Sequence, residues 1–374
     1  MQSSLDFDRT HEMFADGIGR YLKAHASEIS TDEGTVPSGI WNDFAEMGVM
    51  GLSISEELGG SDSPLHLATV MEVFGRHRLN GSEIIAGVIG SRLMLGASAD
   101  TRDAMLSEVA RGSLRLAFAD GESRGDGVPT VTFAVGGPGF VVNGEVREAI
   151  RGARPDRYLI SGRAADNPTG SLMLLAVDTA DLRDCVDDFG MIDGSRGARI
   201  RFSDTAVSAS SLVTPDADGV VDDAKAWGLL CLCWEATGAM VRLLDITIAY
   251  SKVRRQFGVP IGTFQALQHM MVEMQIHAEQ SRDAALLATH HIDCADRIAK
   301  RVALSSAKFQ IGRSAKFVRE SAVQIHGAIG MTDEIEVTKH FKRLMVIEQT
   351  LGSSDDHIEV LVDAEFKGVT EPHG

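Results

Sequence analysis

The spacing of hydrophobic and polar positions changes twice along the chain. Up to about residue 115 apolar side chains recur at helical intervals. Ile40, Phe44 and Met47 fall on one helix face, and that helix is expected to stop near Gly48. Ser63 before Pro64 offers an N-cap followed by proline in the first helical position. Leu65, Ala68, Val70, Met71 and Val73 then follow roughly helical spacing. From about 116 to 220 the period shortens. Short β-branched or apolar runs at 129–135, 139–144, 157–163, 171–178 and 198–207 are separated by Gly, Pro, Asn and Asp, which predicts an antiparallel β domain of about six to eight strands. From about 221 the helical period returns. Leu229, Leu232, Ala236, Met240 and Leu243 form one stripe, and Phe264, Leu267, Met271, Met274, Ala278 and Ala285 another. Such stripes suit antiparallel helices that cross at shallow angles. Further helices are predicted near 296–325, 334–348 and 354–367, with a frayed tail from Gly368 onward.

Helices, then strands, then a helical bundle is a segregated order. It predicts an α+β chain with separate domains over residues 1–115, 116–220 and 221–374 rather than a doubly wound sheet. No strand followed by GxGxxG and a helix is present, which argues against a Rossmann dinucleotide site. A length of 374 residues is consistent with two or three domains. The formal net charge of −17 argues against nucleic acid and anionic membrane surfaces as partners. It leaves room for a phosphate-bearing ligand, because Lys252, Arg254 and Arg255 make a local basic cluster. No apolar run is long enough to span a membrane, and the N-terminus lacks the features of a signal peptide. Cys185, Cys231, Cys233 and Cys294 show no metal-ligand spacing and are expected to be reduced thiols in a cytoplasmic protein.

Few residues suggest chemistry on their own. Arg254 stands where a long helix ends, before Gly258 and Pro260. It suits a guanidinium forked onto a diphosphate, and equally a cation that complements a helix C-terminus. Gln265 and Gln268, three apart, share a helix side and can donate to a polar ring edge or to solvent. The segment Gln324–Gly330 carries two glycines in four residues, which marks a helix end or a close backbone approach. His326 within it reads as a structural histidine. Glu235 falls inside an apolar helix and needs a partner if buried. No GxSxG, nucleophile–base set or metal cluster is visible.

Taken together, residues 44–60 (FAEMGVMGLSISEELGG), 116–122 (LAFADGE), 253–269 (VRRQFGVPIGTFQALQH) and 324–334 (QIHGAIGMTDE) resemble the acyl-CoA dehydrogenase family. The segments 308–318, 323–332 and 341–352, followed by Asp355-Asp356-His357, are similar to two-subunit bacterial members, the small subunit of pimeloyl-CoA dehydrogenase among them. The resemblance implies an N-terminal helical domain, a middle β domain and a C-terminal four-helix bundle. It also implies FAD, with Arg254, Gln256, Phe257, Phe264 and Gln265 meeting it together with Gln324 and Gly327 across a subunit interface. Phe118, Ile150 and Ser353 are further cofactor positions by the same resemblance. The implied reaction removes the α-proton of an acyl-CoA with a carboxylate while the β-hydrogen leaves as hydride. An electron-transferring flavoprotein as acceptor and a homo- or hetero-tetramer follow from the same likeness.

The chain departs from the family pattern where the chemistry lies. Leu351 stands at the usual position of the catalytic Glu, in Thr350-Leu351-Gly352-Ser353, and Gly228 stands near the alternative one. Ser55 replaces a common Pro. Glu148 and Ile150 replace the Trp and Thr that cover the flavin. These departures favour a non-catalytic subunit in a heteromer. The alternatives are an active homomer with a displaced base, for which Asp355, Asp356, Glu348 and Glu235 are candidates, and a flavin oxidase or monooxygenase on the same scaffold.

Overall fold

The structure is a computed structural model that describes residues 9–29, 35–122, 129–152 and 154–370. The expectations for residues 1–8 and for the last four residues of the tail fall outside them. The chain begins with helices α1 (Arg9–Ala24), α2 (Ala26–Ile29), α3 (Ser38–Glu46), α4 (Pro64–His77), α5 (Ser82–Leu93) and α6 (Ala99–Ala110). Helix α4 starts at the proline that the sequence marks as its first residue. Helix α3 buries Ile40, Trp41 and Phe44. Met47 does not join them: it is the C-cap and is 37% exposed. The helix stops one residue before it because Gly48, at φ +79°, turns the backbone into the left-handed region.

The strands are β1 (Leu116–Ala119), β2 (Val131–Gly136), β3 (Gly139–Ala149), β4 (Arg157–Ala164), β5 (Asn167–Asp178), β6 (Val186–Gly190), β7 (Arg196–Ser208) and β8 (Leu212–Thr214). They form one sheet in the order β6-β7-β3-β2-β4-β5-β8, with β1 paired to β4. Neighbours are antiparallel except β1–β4 and β2–β4, which are parallel. The five strands with alternating apolar residues match the sequence pattern. The short β6 does not show it, because exposed Asp187 and Asp188 occupy the middle of an edge strand; charge there discourages pairing with another chain. Phe133, Val142, Val146, Tyr158, Ile160, Leu175, Val177 and Ile200 form the buried side of the sheet.

The C-terminal part comprises α7 (Asp218–Val253), a two-stranded ribbon of β9 (Arg255–Gln256) and β10 (Val259–Pro260), α8 (Gln265–His291), α9 (Arg297–His326), α10 (Glu336–Gln349) and α11 (Ser354–Thr370). The α7 stripe from Leu229 to Leu243 is buried throughout. Phe264 is the N-cap of α8 rather than a member of it. All four cysteines are free, and burial pushes the Cys233 thiol up to about 12.

Two compact units result, and neither is contiguous. One contains residues 1–30, 65–81 and 229–374; the other contains 31–64 and 82–228. In the first unit α4 crosses α7 at two glycines. A Cβ on Gly75 would strike the Glu235 carbonyl, and one on Gly238 would strike the Glu72 carbonyl. The helices therefore touch backbone to backbone, which no larger residue permits. Among the described residues no helix is long and apolar enough to cross a membrane, and no cluster of His, Cys, Asp or Glu is arranged for a metal ion.

Candidate functional site

Helix α7 ends where the chain makes a tight hairpin. Residues Phe257 and Gly258 connect β9 to β10, with φ of +52° and +83°. Positive φ at both central positions matches the right-handed twist of a two-residue hairpin, and a bulky residue rarely occupies the first of them. The strain turns Phe257 outward, so that it is 92% exposed, with the Phe264 ring edge-on at 6.1 Å. Arg254 is fixed on both backbone sides. Its N–H donates to the Tyr250 carbonyl at 2.9 Å, and its carbonyl accepts from Ile261 at 2.8 Å. Its guanidinium is exposed and meets no partner among the described residues. Arg255 instead donates to the Gly258 carbonyl at 2.8 Å and braces the hairpin. Gln256 and Gln265 are exposed, whereas Gln268 folds back onto the Gly262 carbonyl at 2.9 Å.

The second motif lies beside the first in the same unit. Tyr250, near the end of α7, stacks on His326 at the end of α9 with ring centroids 4.3 Å apart, and its hydroxyl reaches the His326 carbonyl at 3.4 Å. The His326 Nδ1 lies 2.8 Å from the Ala322 carbonyl, so that nitrogen carries the proton. Burial holds the ring neutral by lowering its pKa, against the opposing hydrogen bond to Ala322. His326 is thus a structural link, as its sequence context suggests. Gln324 is exposed, and Gly327 leaves the helix at φ +68°, ψ −147°. Residues 70 apart in sequence, Arg254 and Gln324, are in this way anchored to one stacked pair.

The two positions at which the family resemblance implies a base hold no acid. Leu351 sits between α10 and α11 with φ +58°, and Gly228 is buried within α7. The candidate carboxylates are mostly committed elsewhere. Glu235, 1% exposed, makes a two-pronged ion pair with Arg343 at 2.6 and 2.7 Å and accepts from the Gly81 N–H at 3.3 Å. Asp356 accepts from the Ser353 N–H at 2.7 Å and hydroxyl at 2.8 Å, and donates its own N–H to that hydroxyl at 3.3 Å. This reciprocal capping box starts α11, and it engages Ser353 as well. Glu348 accepts from the Ser354 N–H at 2.9 Å through Oε1, while its buried Oε2 has no partner among the described residues. Asp355 is exposed in the first turn of α11, where a negative charge complements the helix dipole.

In the other unit Phe118 is fully buried, and its N–H and carbonyl exchange 2.8 Å hydrogen bonds with those of Ile150. The side chain is core, so what this pair offers a ligand is the Ile150 side chain, held in place by the bridge. Glu148 is exposed at the end of β3. Next to them is a charge network that the sequence does not disclose. Lys225 lies 2.6 Å from Asp120 and 3.5 Å from Glu122, Arg163 is 2.7 Å from Glu122, and the Ser161 hydroxyl donates to Asp120 at 3.1 Å. Burial alone lowers the Lys225 pKa, but Asp120, with Glu122 and Asp222, outweighs it and raises the ammonium above its ordinary range. More than a hundred residues separate Asp120 from Lys225, so no local pattern could have joined them.

Two family models match the chain: the acyl-CoA dehydrogenase N-terminal domain over residues 8–113 and the acyl-CoA dehydrogenase C-terminal domain over residues 221–365. Acyl-CoA dehydrogenase IpdE2 of Mycolicibacterium smegmatis is 27% identical over 358 residues, covering 94% of this chain and 97% of that protein. Two solved structures share the fold with TM-scores of 0.83 each. One, a variant of the Tcur3481-Tcur3483 steroid ACAD, is 21% identical and covers 97% of this chain and 99% of its own. The other, PigA with FAD and proline, is 20% identical and covers 99% and 100%.

Proposed function

Because this chain belongs to the acyl-CoA dehydrogenase family, we propose that it takes part in the FAD-dependent α,β-dehydrogenation of an acyl-CoA thioester as one subunit of a heteromer whose other chain supplies the base. Members of the family are flavoprotein oxidoreductases that act on CH–CH groups. The observation that carries the finer reading is Leu351: an alkyl side chain stands where the family resemblance implies the acid, on a loop otherwise well held.

The residues present fit FAD. Arg254 offers an exposed guanidinium with no protein partner among the described residues, which matches a diphosphate. Gln256, Gln265 and Gln324 offer exposed amides, and Phe257 and Phe264 offer apolar surface. Bound FAD supplies the acceptor for the β-hydrogen of the substrate. The α-proton needs a carboxylate in reach, and neither Leu351 nor Gly228 provides one. Arg254, Phe257 and Gln324 face outward, as expected of groups that complete a cofactor site with a neighbouring subunit. A tetramer, an electron-transferring flavoprotein as acceptor and a cytoplasmic location belong to the same reading. So does a dicarboxylic or bulky ring-degradation acyl group, drawn from the likeness to the pimeloyl enzyme.

A second reading has one specific observation behind it. The buried Glu348 Oε2, without a partner among the described residues, is a carboxylate oxygen near the right loop, which suits an active homomer with a displaced base. Anaerobic titration of the purified, FAD-loaded chain with an acyl-CoA panel decides between the two. Bleaching of flavin absorbance near ~450 nm by the lone chain would overturn the non-catalytic assignment. Bleaching only with a co-expressed partner supports it, and failure of any assembly to retain FAD would remove both.

A further inference from the structure

One face of α9 is shaped around the loop that joins α10 to α11. Ser305, Lys308 and Gly312 follow one another at intervals of three and four, so they share that face. Lys308 is only 1% exposed, yet its ammonium donates to three carbonyls: Glu348 at 3.1 Å, Thr350 at 3.1 Å and Gly352 at 2.6 Å. An ammonium has three N–H donors, and each finds an acceptor in the loop. From the other side, His357 on α11 places Nε2 3.2 Å from the Leu351 carbonyl and Nδ1 3.1 Å from the Ser305 hydroxyl. A carbonyl can only accept, so Nε2 carries the proton and Nδ1 accepts from Ser305. At Gly312 a side chain would collide with Glu348 Oε2 and Ser354 Oγ, and glycine lets the loop settle against the helix.

These contacts grip backbone. The carbonyls of residues 348, 350, 351 and 352 are all held, and none of the bonds uses the side chain at 351. Leu351 nevertheless adopts φ +58°, a conformation that a leucine does not favour and that costs on the order of 1–3 kcal/mol unless the surroundings impose it.

We infer that Lys308 is a positioning residue. Together with His357, it imposes the left-handed geometry of position 351 through the loop carbonyls, so that any side chain there is presented in one direction. Resting on the proposed reading of position 351 as the vacated base position, the chain has kept the holder and lost the acid. A single substitution, Leu351→Glu, then gives it a correctly aimed carboxylate.

Two measurements on the full-length, FAD-loaded protein test this. The first is amide hydrogen exchange in peptides covering 349–357. Lys308→Gln should raise exchange at 350–353 at least tenfold, His357→Gln should raise it at 351–353, Lys308→Arg should restore part of the protection, and Leu351→Ala should change little. Unchanged exchange in both Lys308→Gln and His357→Gln, or an equal rise in Leu351→Ala, overturns the positioning role. The second is anaerobic flavin bleaching by octanoyl-CoA and pimeloyl-CoA. Leu351→Glu should bleach, and adding Lys308→Gln should slow bleaching at saturation at least thirtyfold without moving the half-saturating concentration. Equal rates in the two backgrounds overturn the positioning role. Absence of bleaching in Leu351→Glu, with the exchange differences intact, instead sinks the base-position reading and leaves Lys308 as the loop's holder.

Discussion

Acidification should loosen this protein through one histidine whose contribution can be isolated. His357 is buried, and its pKa is pushed down to about 4, first by burial and then by the positive charge of Lys308. The Leu351 carbonyl and Asp356 act the other way, and Arg301 adds to the lowering. The unfolded chain binds a proton on this residue below about pH 6.5, whereas the folded ring stays neutral down to about pH 4. The stability it contributes is therefore fully present above pH 6.5 and is lost as the pH falls toward 4. A gap of roughly 2.5 pH units at ~1.36 kcal/mol each amounts to about 3.4 kcal/mol. The perturbation is His357→Gln, which gives up the imidazole's paired contacts to the Leu351 carbonyl and the Ser305 hydroxyl and does not titrate. Urea unfolding of both proteins, followed by tryptophan fluorescence at several pH values from 7.5 to 4.5, reads the difference. The variant should begin less stable, and the gap should close by about 2.7 kcal/mol across that range. His77, His326 and His340 have pKa values lowered mainly by burial too, but they remain in both proteins and cancel in the difference. Parallel pH slopes for parent and variant would refute the buried neutral ring.

Arg343→Met strands the buried Glu235 carboxylate, which should lower stability by about 3–5 kcal/mol; thermal unfolding should show a drop of roughly 4–6 °C if the chain melts as one unit. Replacing both members by methionine should recover at least half of that loss, and a double variant no better than Arg343→Met would exclude a desolvated ion pair. Gly238→Ala forces a methyl into the Glu72 carbonyl and should cost about 1–3 kcal/mol in the same assay, whereas alanine at Gly17, with open space around it, should be tolerated. Arg254→Ala should weaken FAD retention about tenfold or more in a dialysis or fluorescence titration, since ~1.4 kcal/mol corresponds to tenfold; unchanged retention would assign the guanidinium to the end of α7 alone.

Much of the fold was legible because long stripes and alternating runs leave a periodic trace. The α7 stripe from Leu229 to Leu243 is buried as its spacing predicts, and β2, β3, β4, β5 and β7 fall on the runs read as strands. What escaped had no period to detect. The edge strand β6 carries Asp187 and Asp188 where an inner strand would carry apolar residues. The parallel pairing of β1 and β2 with β4 depends on chain topology, which local alternation does not encode. Met47 was misplaced because spacing alone carries the apolar stripe into the C-cap, one residue before the glycine that turns the chain away.

The candidate site divides in a similar way, and the division bears on its function. The residues proposed to meet FAD stand in contiguous motifs: Arg254 through Gln265 in one, Gln324 and Gly327 in the other. Residues that hold the site together are scattered. Lys308 lies 42 positions before Thr350, and Arg343 lies 108 after Glu235. The sequence does contain a hint of one of them, since Glu235 within an apolar helix needs a partner, but it does not say which; Lys308 is one of several basic residues along α9 and carries no such signal. This separation gives position 351 its significance. Lys308 and His357 hold the loop carbonyls around Leu351, and Gly312 leaves room beside them. All three are present, and their contacts are mutually consistent down to the tautomer of His357. The left-handed loop is thus held by groups other than its own side chain, so its geometry does not depend on whether position 351 carries a leucine or an acid.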